Sequence, residues 1–127
     1  MPNRVKILLA EDDPSLSRYI ETLLSQWDCD VVVEQTAELA IRRAASFKPD
    51  VALLGFITPG MDGAKAGVEL LKDSPETRVV LAVESVPSGV LDDLRALGYY
   101  FETLVAPFSI EELQSLCFPS SNPKLDK

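Results

Sequence analysis

Three consecutive carboxylates follow the first apolar segment of this 127-residue chain and are its best candidates for chemistry. Glu11, Asp12 and Asp13 come directly after the run Val5–Ala10. Carboxylate oxygens are ligands that hard cations such as Mg²⁺ prefer, so one interpretation of this acidic turn is a cation site. The other interpretation is an acidic helix N-terminus, where a carboxylate gains roughly 0.3–1 kcal/mol from the helix dipole. The sequence leaves both interpretations open.

Other reactive side chains are few and scattered. The chain has no histidine, which excludes histidine-based catalysis and any Cys/His zinc site. Cys29 and Cys117 lie far apart in the sequence, and we predict that they are small buried apolar residues rather than a redox pair. Thr58 and Ser85 have hydroxyl groups but no neighbouring base to activate them. We therefore predict that the chain is not an enzyme.

Composition limits the class of protein further. A net charge of −8 argues against a nucleic-acid surface, because neutralising phosphates needs clustered lysine and arginine. A hydrophobic content of 46% is sufficient for one domain with a real core. The chain contains neither a signal-peptide pattern nor an apolar run of about 20 residues, so we expect a cytoplasmic location and no membrane partner.

The elements that must position these side chains alternate along the chain. The chain contains five short apolar runs, which we interpret as buried strands, and each run is followed by a helical pattern. Such alternation predicts a doubly wound α/β fold with a parallel sheet, whose functional crevice lies at the carboxyl ends of the strands. We expect one domain over residues 1–118 and a flexible tail over 119–127. The predicted strands cover residues 5–10, 31–33, 51–54, 79–83 and the second half of 99–105.

Local signals mark several helix ends. Asp13 is a predicted N-cap followed by Pro14 at the first helical position. Ser109 and Glu112 have the spacing of a capping box, and Gly98 is a predicted left-handed residue after a helix.

Four segments together resemble the receiver domain of bacterial response regulators. They are Ile7-Leu8-Leu9-Ala10-Glu11-Asp12-Asp13-Pro14, Pro49-Asp50-Val51-Ala52-Leu53-Leu54 with Pro59-Gly60-Met61-Asp62-Gly63, Val79 to Val83, and Pro107-Phe108-Ser109 with Glu111-Glu112-Leu113. The resemblance covers nearly all of residues 4 to 117. It implies a flavodoxin-like sheet of five strands in the order 2-1-3-4-5 with five helices, and a role in two-component phosphorelay signal transduction.

The resemblance also assigns positions to the family's chemistry, and three of them lack the expected side chain. The family's phosphoacceptor aspartate corresponds to Gly55, its switch hydroxyl to Val83 and its lysine to Ala106. Only the acidic pair Glu11 and Asp12 remains, so any Mg²⁺ binding should be weak and no cofactor should be required. Without a lysine at 106, the pair should also have some affinity for a cation or one raised pKa.

These substitutions favour a degenerate pseudo-receiver that binds proteins without being phosphorylated. The alternatives are a phospho-switch with an unorthodox acceptor and a sensor that binds a small ligand in the vacated pocket. Glu84 follows Val83 and either covers that pocket or points to water.

Three consecutive aromatic residues, Tyr99, Tyr100 and Phe101, are the candidate partner-binding residues. They fall on the surface of the fourth helix, fifth strand and fifth helix, which is the usual docking or dimer surface in the family that the chain resembles. The partner expected there is a histidine kinase, an output domain or a second copy of the chain. The other interpretation is that the rings pack the edge of the sheet.

Overall fold

The computed structural model describes residues 4–55, 57–58, 61–84 and 88–118. Within them, strands and helices alternate. The strands are β1 (Val5–Ala10), β2 (Cys29–Glu34), β3 (Val51–Gly55), β4 (Ile57–Thr58), β5 (Met61–Asp62), β6 (Arg78–Val83) and β7 (Glu102–Val105). The helices are α1 (Pro14–Leu24), α2 (Ala37–Phe47), α3 (Gly63–Asp73), α4 (Ser88–Ala96) and α5 (Ile110–Cys117). The predicted tail, residues 119–127, and Ser85 lie outside the described residues.

Five strands form one parallel sheet in the order β2-β1-β3-β6-β7. Without the short pair β4 and β5, this is the predicted order 2-1-3-4-5, and the predicted α/β fold with five helices is confirmed. Between β3 and α3, the short strands β4 and β5 pair antiparallel, with Ile57 opposite Asp62 and Thr58 opposite Met61 in the backbone register.

The helix ends follow the local signals in the sequence. Asp13 Oδ1 accepts the backbone N–H groups of Ser15 at 2.9 Å and Leu16 at 3.4 Å, which otherwise have no partner in the first turn of α1. Ser109 and Glu112 form the predicted capping box through reciprocal bonds of 3.0 and 2.8 Å. Gly98 has φ 95°, the conformation that favours glycine after a helix.

The core has two layers because successive strand side chains point to opposite faces of the sheet. On one face, Leu8 and Ala10 of β1 pack with buried residues of α2, α3 and α4. On the other face, Ile7 and Leu9 pack with residues of α1 and α5. Helices therefore cover the sheet on both faces. Side chains that contact a ligand or a partner must lie at the ends of the strands or on the outer surfaces of the helices.

In the part of the chain that the structure describes, no helix combines the length and apolarity that crossing a membrane would require.

Candidate functional site

The carboxyl ends of β1, β3, β6 and β7 bring together the residues that the resemblance singled out. Leu54 and Gly55 of β3 pair with Leu81 and Ala82 of β6, so Gly55 lies next to the end of β6. Ala106 follows β7, and its N–H donates to the carbonyl of Val83 at 2.9 Å. Glu11 follows β1, where its N–H donates to the carbonyl of Glu34 at 3.2 Å. These strand ends lie side by side at one edge of the sheet, the place where the functional crevice of such folds is expected.

Gly55 is the buried last residue of β3 and contributes no side chain to the crevice. A β-carbon at this position would stand 2.8 Å from Oε1 of Glu11 and 3.4 Å from the carbonyl oxygen of Ala10. The first separation is shorter than non-bonded contacts allow, so the space beside the Gly55 backbone is taken by Glu11.

The side chain of Glu11 points inward and is only 8% exposed. Its Oε2 accepts the backbone N–H of Asp13 at 3.2 Å. Burial raises the pKa of Glu11, and the neighbouring carboxylates of Asp12 and Asp13 act in the same direction, while the bond from the Asp13 N–H opposes them. The raised pKa expected within the acidic pair is therefore found on Glu11, with burial as its first cause.

Asp12 is exposed, although it follows Glu11 directly. Mg²⁺ usually keeps several of its waters and is bound through one or two carboxylates, which is the most that this pair could offer. Over residues 4–55, 57–58, 61–84 and 88–118, no three side chains of the metal-binding types His, Cys, Asp and Glu converge on a common point. Glu11 and Asp12 would therefore hold such a cation weakly, and this remains a prediction.

The other crevice positions are apolar or face solvent. Val83 is 6% exposed and belongs to the core layer beneath α2, α3 and α4. Ala106 is exposed. Glu84, for which the sequence left two orientations open, is exposed as well. Neither Val83 nor Ala106 has a hydrogen-bonding or charged side chain that could contact a bound anion.

The aromatic triplet divides between core and surface. Phe101 is 8% exposed and Tyr99 is half-buried against the same core, with their ring centroids 6.0 Å apart. Phe101 is therefore a packing residue, which corrects its assignment to a docking surface, because a buried ring is not accessible to a partner. Tyr100, in contrast, is 72% exposed.

A contact that sequence reasoning missed explains why Phe101 points inward. A β-carbon at Gly67 of α3 would lie 2.8 Å from Cε2 of Phe101 and 3.0 Å from Cγ1 of Val79. Gly67 thus allows the aromatic ring to pack directly against the backbone of α3. The available signal was the run of small residues Ala64, Ala66 and Gly67 on one helix.

Comparison with known proteins identifies the family. Residues 7–116 match the family model of the response regulator receiver domain. The chain belongs to this family. Receiver domains act in bacterial two-component signalling. The response regulator ArlR of Staphylococcus saprophyticus is 28% identical to this receiver domain over 109 residues, an alignment that covers 85% of the chain and 48% of ArlR. The chain therefore spans about half the length of this curated relative.

Solved receiver domains have the same fold. The signal receiver domain of an HD domain-containing protein from Pseudomonas fluorescens Pf-5 matches with a TM-score of 0.84 at 19% identity, covering 98% of this chain and 100% of that one. The receiver domain of the sensor histidine kinase PA1611 of Pseudomonas aeruginosa, solved with a magnesium ion coordinated in its active site cleft, matches with a TM-score of 0.79 at 23% identity. That alignment covers 92% of this chain and 97% of the other. At these identities the likeness concerns the fold alone.

Proposed function

We propose that this receiver domain is a phosphorylation-independent protein-binding module, a pseudo-receiver within a two-component pathway. The observation that carries the proposal is Gly55, which ends the central strand β3 with no side chain at all. An acyl phosphate needs a carboxylate nucleophile at the reacting position, and glycine supplies none.

The surrounding residues support the same proposal. Val83 cannot donate a hydrogen bond to a phosphoryl oxygen, and Ala106 cannot offset its charge. Losses at the ends of three separate strands affect the nucleophile, the hydrogen-bond donor and the countercharge of a single reaction. One function given up explains all three losses together.

An unorthodox acceptor would have to be another carboxylate in the crevice, and Glu11 is the buried one among the described residues. Its Oε2 accepts the Asp13 N–H, and its Oε1 occupies the space beside Gly55 that a side chain at position 55 would take. The geometry therefore favours a structural role for Glu11. A phospho-switch at Glu11 and a small-ligand sensor remain alternatives that the experiments below can detect.

The partner surface that we propose is formed by α4, β7 and α5. Tyr100 is the proposed anchor, because it is large, aromatic and 72% exposed. Other apolar side chains on the same elements and their connections are also exposed, and this set together with Tyr100 is the apolar face: Val90, Leu97, Val105 and Ile110. A histidine kinase, an output domain or a second copy of the chain is the proposed partner. The prediction of no nucleic-acid partner concerns this domain alone.

The proposal predicts that the apolar face does not respond to a phosphodonor. A ¹⁵N-labelled chain is compared by NMR in MgCl₂ before and after addition of acetyl phosphate. We expect the amide signals of α4, β7 and α5 to be unchanged, because no phosphoryl group attaches to move Val83 or Ala106. Shifts in these signals that appear only with the phosphodonor would contradict the proposal.

The docking surface is tested by placing a charge on it. Tyr100→Asp should weaken association, since the aspartate would have to be desolvated in the interface. Sedimentation of the chain alone measures self-association, and sedimentation with an added two-component partner measures binding to that partner. Tyr19→Asp is the matched control, because Tyr19 is 51% exposed on α1. Equal loss of binding in both variants, or in neither, would argue against the apolar face.

A further inference from the structure

The tightest approach in the crevice joins the side chain of Glu11 to the backbone of Gly55. A β-carbon at position 55 would lie 2.8 Å from Oε1 and 3.5 Å from Cδ of Glu11. Real β-carbons essentially never show a non-bonded contact under 3.0 Å, so a side chain at position 55 would require the Glu11 carboxylate to shift. Because that carboxylate is the far end of a flexible side chain, the shift would cost little. In the present chain the carboxylate occupies the space that the first atom of a side chain at position 55 would take.

Several interactions hold the Glu11 side chain in this position. Its backbone continues the β1 ladder, since the Glu11 N–H donates to the carbonyl of Glu34 at 3.2 Å. Its Oε2 accepts the N–H of Asp13, the residue that caps α1. The side chain is 8% exposed, so it is enclosed by the ends of the strands rather than extended into solvent.

We propose that Glu11 is a built-in plug, whose carboxylate fills the place beside β3 that the acceptor side chain would take and keeps phosphodonors out. This inference rests on the proposed function and deepens it by naming what replaces the acceptor. An anionic phosphoryl group entering the crevice would meet both the volume of the plug and its like charge. The plug thus holds the crevice in one filled state.

One consequence concerns substitution at position 55. The β-carbon of an introduced side chain would meet Oε1 of Glu11, which is the far end of a flexible side chain and can move away at little cost. We therefore expect any residue larger than glycine at position 55 to expel the Glu11 carboxylate from this place.

Proton NMR of the full chain tests the plug directly. In the wild-type protein we expect a nuclear Overhauser cross-peak between the γ protons of Glu11 and the α protons of Gly55. In Gly55→Ala the added methyl group should expel the side chain, so contacts from Glu11 to residue 55 should disappear and the Glu11 γ-proton shifts should change. Glu11→Ala confirms the assignment, because it removes the signal.

A matched control separates the plug from a general effect of adding a methyl group. Gly89 lies in α4, and beyond its own helix a β-carbon there would meet none of the described residues within 4 Å. Gly89→Ala should therefore retain the contact between Glu11 and Gly55. If Gly55→Ala does not fold, the double variant Gly55→Ala with Glu11→Ala should fold, because the clashing carboxylate is gone.

The plug would be overturned by any one of three results. These are a wild-type chain without the cross-peak, a Gly55→Ala variant with unchanged Glu11 shifts, and a double variant that fails to fold where Gly55→Ala also fails. The failure of the plug can be distinguished from the failure of the proposed function. A chain without the cross-peak that still takes up no phosphoryl group refutes only the plug. A chain with the cross-peak that becomes phosphorylated refutes the proposed function and the exclusion of phosphodonors by the plug, while the contact between Glu11 and Gly55 stands.

Discussion

At the scale of the residue, the main finding is that two adjacent carboxylates have opposite environments. Glu11 points into the crevice and is enclosed, whereas Asp12 is exposed. The space beside the glycine backbone at position 55 accommodates the longer, inward side chain. The same acidic pair that suggested a metal site in the sequence thus has one member committed largely to packing.

The raised pKa of Glu11 predicts how Glu11→Gln changes stability with pH. Burial disfavours the charged form in the folded state, so this group's stabilising contribution is complete below its unfolded pKa and is lost as the pH rises through its folded pKa. Glutamine carries no charge, and its side-chain oxygen can still accept the Asp13 N–H. Glu11→Gln should therefore gain stability relative to wild type as the pH rises above the ordinary glutamate value of about 4.3.

Urea unfolding across the acidic and neutral range measures this difference. Glu38→Gln is the control, since Glu38 is an exposed glutamate in the first turn of α2 and reports the effect of removing one negative charge. If the difference in unfolding free energy between Glu11→Gln and wild type stays constant with pH, or shrinks as the pH rises, the Glu11 carboxyl group does not have a pKa raised by burial.

How well single residues could be predicted depends on the range of the interactions that fix them. Asp13 and the pair Ser109 and Glu112 were predictable, because a cap bonds to backbone groups only two or three residues away. The inward orientation of Glu11 was not, since it depends on Gly55, which is 44 positions away in the chain. Only the fold brings these two residues into contact.

At the scale of the element, β7 and the residues before it are positioned by packing against α3. The pattern of Tyr99, Tyr100 and Phe101 gave no means of deciding which ring faces the core. The absence of a β-carbon at Gly67 decides it by admitting the ring of Phe101. Tyr100, which precedes Phe101 and lies outside β7, is left exposed to solvent.

This packing predicts opposite effects for two glycine substitutions. Gly67→Ala should destabilise the domain by about 1–2 kcal/mol, because overpacking against Phe101 and Val79 outweighs the better helix propensity of alanine. Gly89→Ala, also in a helix, adds a methyl group that meets no described residue outside that helix within 4 Å and should stabilise by up to about 1 kcal/mol. Urea midpoints of the two variants measure the difference. A Gly67→Ala variant as stable as Gly89→Ala would refute the close contact.

At the scale of the whole molecule, the sheet separates two core layers, and the second brings the two cysteines into one cluster. Cys29 is 7% exposed and Cys117 is fully buried, both in the layer formed with α1 and α5. The predicted burial of both residues is confirmed. The Cys29 thiol also donates to the carbonyl of Leu24 at 3.1 Å. The sequence could not predict that the two cysteines share this layer, because they are 88 positions apart and meet only when α5 packs back against the sheet.

Burial predicts that these thiols are unreactive in the native protein. It raises the pKa of Cys117 to about 12 and also raises the pKa of Cys29. Because the thiolate is the reactive form, a disulfide reagent at neutral pH should label Cys117 on the order of 10³-fold more slowly than a free thiol, and labelling should follow unfolding. Cys29→Ala and Cys117→Ala assign the signal to each residue. Fast labelling of Cys117 in the folded protein would contradict its position in the core.

The fold as a whole was the most predictable feature. The alternation of apolar runs and helical patterns was sufficient for the parallel sheet, and the resemblance supplied the strand order. Strand bounds were short of the observed ones by one or two residues at Cys29, Gly55 and Arg78, because backbone pairing continues past the apolar side chains that marked each strand. Contacts between distant segments, above all that of Glu11 with Gly55, had no comparable local signal.

No acyl phosphate should form on this receiver domain, and intact mass spectrometry would detect one without any assumption about its site. The full chain is incubated with acetyl phosphate and MgCl₂ beside Glu11→Gln and beside a receiver domain that carries an aspartate at the corresponding position. We predict an unchanged mass for both forms of this chain and a gain of one phosphoryl group for the comparison domain. A stoichiometric gain of one phosphoryl group on the wild-type chain would contradict the account, and its loss in Glu11→Gln would identify Glu11 as the acceptor.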